Sequence, residues 1–426
     1  MPLSQWQVSV YVAMLSVGGL LGGLASGPIM NTAGRRGVLL ATCVPSLLGW
    51  LMTVTTTATG LGYNYAMAVA GRFLTGLVVG VANAAAVTYV GEVAFCDVRG
   101  AMSSFYELML NVGIFLAIMA GGWTPLRYLA LMCACPGVVG ALLTFFCHES
   151  PVFLLMKNRE REARAALQHF RGPHFNIDEE LKGIKSSLEK NSTGKKRMMS
   201  DLKKPRVYKP LMIVLLVALF YKLTGCEMVQ SYIDIMFEES LTGLSLNLSR
   251  NLVVAAVLVS GVAVTVMVDK VGRKTLLVIS AAIMAPCLGS VGVYFYLLHL
   301  DLCYTTTTLW WLPITTLTIY MFAFGLGFGG ITFVLMSEMM CGEYQGLASG
   351  LSVSVLWGLS FLTLLTNHAL LAAIGMHGVY FLYSTFCVLA LIFSATLVVE
   401  TKGRTMHEIT SLFDDEHGTA SQYGAL

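Results

Sequence analysis

Apolar runs of about twenty residues recur almost from end to end of this chain, broken by short turns and by one long polar segment. A helix needs about 20 apolar residues to cross the roughly 30 Å hydrocarbon core of a bilayer. In lipid every backbone N–H and C=O must be bonded internally, which restricts spanning structures to helices and closed barrels. Uninterrupted runs of this length predict helices. The composition agrees, since 56% of the 426 residues are hydrophobic and 12% are charged. A soluble domain carries about 25% charged residues. The 42 glycines also fit, because small residues let membrane helices approach closely.

Turn and charge punctuation predicts about eleven spans, at roughly 8–30, 37–58, 66–90, 100–121, 127–147, 209–236, 250–268, 275–298, 310–336, 346–370 and 376–399. The first run has no positive segment before it and is too long for the core of a signal peptide. Residues 148–208 hold 14 of the 27 Lys and Arg. Arg35, Arg36, Arg99, this long loop, Lys270, Arg273 and Lys274 fall on alternate connections. Positive charge stays on the cytoplasmic side, so these connections and the tail after Glu400 are expected inside and the amino terminus outside. Asn247-Leu248-Ser249 is then a glycosylation sequon on the outer side, whereas Asn191-Ser192-Thr193 lies inside and is expected to stay unmodified.

An internal repeat divides the chain. Gly34-Arg35-Arg36 returns as Gly272-Arg273-Lys274, an offset of 238. Glu92 and Arg99 return as Glu338 and Gln345, an offset of 246, and Glu149 returns as Glu400, an offset of 251. The expected organisation is a five-helix bundle (1–147), a charged cytoplasmic linker with surface helices (148–208), a six-helix bundle (209–400) and a cytoplasmic tail (401–426). Two homologous bundles joined by a charged linker form a transporter architecture. Ser150-Pro151 before an apolar run reads as a helix N-cap with Pro at the first helical position.

Other function classes find little support. The ten cysteines form no C-x-x-C pair, no metal-ligand cluster or nucleophile–base pair stands out, and no G-x-x-x-x-G-K-[ST] loop occurs. We expect no cofactor, no metal and no enzyme activity. No basic stripe points to nucleic acid, so the expected partners are membrane lipid and a small-molecule solute.

Gly27-Pro28, Gly34-Arg35-Arg36, Gly71-Arg72-Phe73-Leu74-Thr75-Gly76, Gly91-Glu92, Arg99-Gly100, Glu149-Ser150-Pro151, Asp269, Gly272-Arg273-Lys274 and Glu400-Thr401-Lys402-Gly403 occur in order along nearly the whole chain. This set resembles the sugar porter family of the major facilitator superfamily, which includes glucose transporters and arthropod trehalose transporters. The resemblance implies an all-α membrane fold of two pseudo-symmetric six-helix bundles around a central cavity, here with about eleven helices and the first of twelve missing. It also implies a cytoplasmic gating network of Arg35, Arg36, Arg72, Glu92, Arg99, Glu149, Asp269, Arg273, Glu338 and Glu400. Bundles that rock need a latch, and charge-assisted hydrogen bonds supply one; the bland alternative is charge that merely sets topology. Gln345 replaces the family's Arg, Thr32 a basic residue and Val399 a proline, which should weaken the closed state.

Ionisable residues inside a membrane are costly and functional by default. Thr224, Glu227, Ser231 and Asp234 recur on one face of the sixth span, near Lys222, and Glu107 and Asn111 share a face of the fourth. The resemblance sets Glu107 over a sugar-binding glutamine, Tyr221 and Lys222 over a glutamine pair, and Glu227 over an asparagine. An amide both donates and accepts, whereas an ionised Glu only accepts and Lys only donates. Phe333 takes the place of a cavity tryptophan, Trp357 keeps another, and Gly330-Ile331-Thr332 replaces a Pro-x-Pro gate. The charged group either binds a polar or charged solute, couples transport to protons, or is a mutually neutralised structural cluster.

The expected activity is alternating-access transport of a sugar, such as a hexose or trehalose, across the plasma membrane, and the resemblance favours a facilitative mode. Rivals are transport of a charged organic solute, a receptor that binds without cycling, and a shortened form of a twelve-span protein.

Overall fold

The computed structural model describes residues 4–59, 64–191, 204–230, 233, 246–300, 308–339, 343–404, 408–409 and 412–413. Eleven helices among them are long and apolar enough to cross a membrane. The first half contributes α1 (Trp6–Ala33), α2 (Arg35–Thr56), α3 (Tyr65–Val93), α4 (Arg99–Gly121) and α5 (Leu126–Phe146). Three short helices follow: α6 (Pro151–Met156), α7 (Glu160–Arg171) and α8 (Asp178–Asn191). The second half contributes α9 (Val207–Gln230), α10 (Leu248–Val271), α11 (Arg273–His299), α12 (Leu312–Glu338), α13 (Tyr344–Asn367) and α14 (Ala369–Thr396). Each span meets its sequence-predicted counterpart. Ser231 and Asp234, expected on the polar face of the sixth span, and the side chain of Asn247 lie outside the described residues.

Glycine sets the closest packing. Gly18 and Gly22 of α1 lie against the backbone of α3 at Phe73 and Leu77, and Gly76 and Gly80 of α3 lie against Leu15 and Gly19. This is a reciprocal pair of G-x-x-x-G faces, on which any added Cβ would strike backbone. The halves meet along two seams. In one, Gly23 of α1 faces Ser354 of α13; in the other, Gly261 of α10 faces Leu108 of α4. Residue 23 shifted by 238 is 261, and residue 108 shifted by 246 is 354. The two seams are therefore one contact, repeated with the halves exchanged. This is the pseudo-two-fold relation that the sequence repeat predicts.

Gly375 (φ +68°) interrupts α14, and α9 and α12 are also broken. In α9 the regular helix ends at Leu223, and Gly225 adopts a φ of +95° against the Tyr383 ring. The carbonyl of Thr224 freed by this break accepts from the Tyr320 hydroxyl (2.9 Å). In α12 a π-helical turn runs over Gly325–Gly329, with Gly325 against Ser260 and Gly327 against Ser280. A π turn is one of the irregularities at which helices kink, and it stands directly before Gly330-Ile331-Thr332, where no proline occurs.

The linker helices form a small apolar core of Leu154, Leu155, Ala163, Ala166, Leu167, Ile177 and Leu181. Ser150 caps α6 by accepting from the Phe153 amide (3.3 Å), as its position before Pro151 predicts. Arg171 fixes this core to the end of α3: its guanidinium lies over the Phe95 ring (4.5 Å) and donates to the Val93 carbonyl (2.8 Å).

Candidate functional site

The two halves carry the same construction at the end that bears the linker. Gly34 (φ +83°) and Gly272 (φ +102°) connect one span to the next, and neither can supply a side-chain cap to the helix that follows. The first amides of that helix thus need an outside acceptor. Glu149 accepts from the amides of Arg35 (3.0 Å) and Arg36 (3.1 Å), and Glu400 from those of Arg273 (2.9 Å) and Lys274 (3.1 Å). A carboxylate at a helix N-terminus also meets the positive end of its dipole. The Arg35 guanidinium, fully buried, pairs with Glu92 (2.7 Å), and Arg273 pairs with Glu338 (2.6 Å). Ser150 donates to Glu92, and Thr401 donates to Glu338 (2.6 Å). Each buried carboxylate is paired and hydrogen-bonded, the condition under which a buried charge is tolerated.

These clamps correct the expected latch. Arg35, Glu92 and Glu149 all belong to the first half, and Arg273, Glu338 and Glu400 to the second, so the pairs hold each half together. The link between halves is Asp269 of α10. Its Oδ1 accepts from Arg273 Nη2 (2.8 Å), and its Oδ2 accepts from the Ala101 amide of α4 (3.0 Å). Ser103 and Ser337 bond across the same end (2.8 Å), as do Thr88 and Ser349 (3.2 Å). These three hydrogen bonds join the halves at this end.

Arg36 donates to the Thr144 and Phe145 carbonyls and so caps the end of α5. Arg99 is buried where α4 begins. Arg72 does not belong to this network. Its guanidinium lies over the Tyr11 ring (5.0 Å), in the part of α3 where Tyr65 bonds the Gln7 carbonyl. Twenty residues separate Arg72 from Glu92, about 30 Å of helix, so it sits towards the outer end.

Sequence reasoning missed Asn31. It stands four residues before Arg35, as Asp269 stands four before Arg273. Its Oδ1 is buried without a hydrogen bond, and so is Oε1 of Gln345, whose Nε2 donates to the Ser337 carbonyl (3.1 Å). Both charged positions of one seam are thus neutral amides in the other. The spacing alone carried that signal.

Midway through the bundle the structure brings Glu107, Asn111, Tyr221, Lys222, Glu227 and Phe333 together. Glu107, 3% exposed, accepts at Oε1 from Asn111 Nδ2 (3.1 Å) and from the Tyr221 hydroxyl (3.4 Å). The second bond joins the two halves. Lys222 and Glu227 form an ion pair across the α9 break, and Ser360 also donates to Glu227 (3.1 Å). Lys222 stands at the C-terminal end of one half-helix and Glu227 near the N-terminal end of the next, each opposite the dipole it favours. Phe333 packs on Tyr106 (5.3 Å) and Tyr221 (6.2 Å). Trp357 lies apart from these rings, against Gly19 of α1. Beside Asn111 a small cavity of about 60 Å³ is lined by Gln230, Arg250, Val253 and Met321 among others.

Residues 3–413 match the sugar (and other) transporter family. The chain belongs to that family. It is 32% identical over 397 residues to a facilitated trehalose transporter of Culex quinquefasciatus, covering 93% of this chain and 75% of the relative. A facilitated trehalose transporter of Aedes aegypti is also 32% identical over 397 residues, but the chain spans only about half of it (48%). Among solved structures, the proton:xylose symporter XylE bound to 6-bromo-6-deoxy-D-glucose superposes with a TM-score of 0.84 at 23% identity, covering 97% of this chain and 91% of that one. Sugar transporter family membership and this fold make the chain a multi-pass membrane protein.

Proposed function

We propose that the chain carries a sugar across the plasma membrane by alternating access, with Glu107, Asn111, Tyr221, Lys222, Glu227, Phe333 and Trp357 around the solute. The observation that carries this reading is the pair of exchanged seams. Gly23–Ser354 and Gly261–Leu108 give two equivalent hinges, and the Glu107–Tyr221 bond lies between them. Rocking about such seams exposes a central site first to one side and then to the other. Each half moves as a unit because its own clamp, Arg35–Glu92–Glu149 or Arg273–Glu338–Glu400, holds its helix ends. The gating step is the breaking of Asp269–Ala101 and of the serine and threonine pairs beside it.

The named trehalose transporters are facilitated, and we assign the same downhill mode here. Uptake of labelled trehalose and hexoses into liposomes containing the purified full chain tests the reading. Saturable uptake that survives collapse of the proton gradient is expected; no uptake of any sugar defeats it. A receptor that binds solute without cycling is the second reading, favoured by the neutral Asn31–Gln345 side, and binding without uptake identifies it.

A further inference from the structure

The charged group midway through the bundle carries an unanswered acceptor. Glu107 Oε1 is occupied by Asn111 and Tyr221, but Glu107 Oε2 is buried with no hydrogen-bond partner. A carboxylate oxygen taken out of water without a donor is expensive, so such an atom is kept where something else supplies the donor. The Lys222 ammonium is bonded to Glu227 and donates no hydrogen bond to this oxygen. Two carboxylates therefore share one ammonium at this site.

Aromatic residues pack around the Glu107–Tyr221 contact. Tyr106 and Tyr221 flank Phe333, and Phe324 packs on Tyr221 (5.1 Å). One of these rings already faces a cation: Lys222 Nζ lies over Tyr221 (5.3 Å). A carboxylate set among ring faces is the chemistry that recognises an ammonium, by a charge-assisted hydrogen bond and by attraction to the ring quadrupole. Glu107 and Tyr221 come from opposite halves, so the carboxylate held at their contact through Oε1 is uncovered when the halves part.

We propose that the solute is an amino sugar or a similar polyhydroxylated amine, and that Glu107 Oε2 accepts its ammonium. The proposal rests on the sugar-transport reading and narrows it. The hydroxyls are left to Asn111, Ser360 and the Lys222–Glu227 pair, while Glu107 sets the preference for charge.

The test is competition. Uptake of labelled glucosamine into liposomes containing the full chain is challenged with glucosamine, glucose and N-acetylglucosamine, the last being the uncharged amide of the first. Unlabelled glucosamine should compete at a concentration about tenfold or more below the other two, the range of one charge-assisted hydrogen bond. Glu107→Gln should erase this ratio, and Glu107→Asp should keep its direction. The same ratio read from ligand-induced shifts in the thermal midpoint of the detergent-solubilised protein covers a variant that transports poorly. If glucose is taken up and glucosamine competes no better than N-acetylglucosamine, the proposal is overturned while sugar transport stands. An unchanged ratio in Glu107→Gln also overturns it. No uptake or binding of any sugar, charged or neutral, removes the underlying reading and the proposal with it.

Discussion

Asp269 accepts the Ala101 amide across the seam between the halves at 3.0 Å while its other oxygen holds Arg273 at 2.8 Å. One side chain thus ties the clamp of the second half to the backbone of the first. A hydrogen bond to a charged group contributes about 1.5–3 kcal/mol. Asp269→Ala should lower the stability of the cytoplasm-closed state by that amount, roughly a ten- to hundredfold shift towards opening. Ser103, 1% exposed in the same seam, reports it. A cysteine placed there by Ser103→Cys should react faster with a thiol reagent applied from the cytoplasmic side when Asp269→Ala is present. Equal rates in both backgrounds would show that Asp269 does not hold the seam.

The opposite seam has lost both charges, with Asn31 in the place of Asp269 and Gln345 in the place of Arg99 under the repeat. Asn31→Asp or Gln345→Arg alone should destabilise, since each buries a further charge and Arg35, four residues from Asn31, is already paired with Glu92. The two together should recover much of the loss, with a coupling of about 0.5–3 kcal/mol in a double-mutant cycle read from unfolding in detergent. Additive effects would refute the equivalence of the two seams.

The spans were legible because lipid demands long uninterrupted apolar runs, and hydropathy reports those directly. The clamps were legible because Arg35, Glu92 and Glu149 recur in order as Arg273, Glu338 and Glu400. Which half each partner serves was not. An ion pair reads the same in sequence whether it closes a bundle or joins two, and only coordinates show that Asp269 reaches across to the other half. Arg72 was misplaced by grouping it with other family arginines, although counting twenty residues along α3 separates it from Glu92. The π turn at Gly325–Gly329 had no legible signal, because a glycine-rich span also suits close helix packing. Cavity residues were legible as rare ions in an apolar span. Their pairing was not, since Lys222 had Glu107 and Glu227 as equally available partners and the break at Gly225 decides for Glu227.

Gly272 tests whether the carboxylate cap is structural. Its φ of +102° strains any L-residue, and an added Cβ would also lie 2.5 Å from the Glu400 carboxylate. Gly172 has a similar φ of +85° with nothing within 4 Å. Gly172→Ala should therefore show backbone strain alone, more than about 0.4–1 kcal/mol. Gly272→Ala should cost clearly more, because it displaces Glu400 from the Arg273 and Lys274 amides. Matched losses of thermal midpoint in the two variants would remove the cap from the list of what holds α11.

Lys222 and Glu227 offer the sharpest test of what replaced a neutral sugar grip. Lys222→Gln leaves the Glu227 carboxylate inside the bundle with only the Ser360 hydroxyl, and breaking a buried pair in this way costs about 3–5 kcal/mol. Glu227→Asn strands the ammonium and should cost about as much. Replacing both removes the two charges together and installs amides that donate and accept, so Lys222→Gln with Glu227→Asn should unfold near the wild-type temperature despite the loss of either single variant. If the ion pair occupies sites that would otherwise hold hydroxyls, the double variant should also take up neutral hexose faster than wild type in liposomes. A double variant as unstable as the sum of the singles would show instead that the charges are needed for the broken helix itself, where each faces the dipole end that favours it.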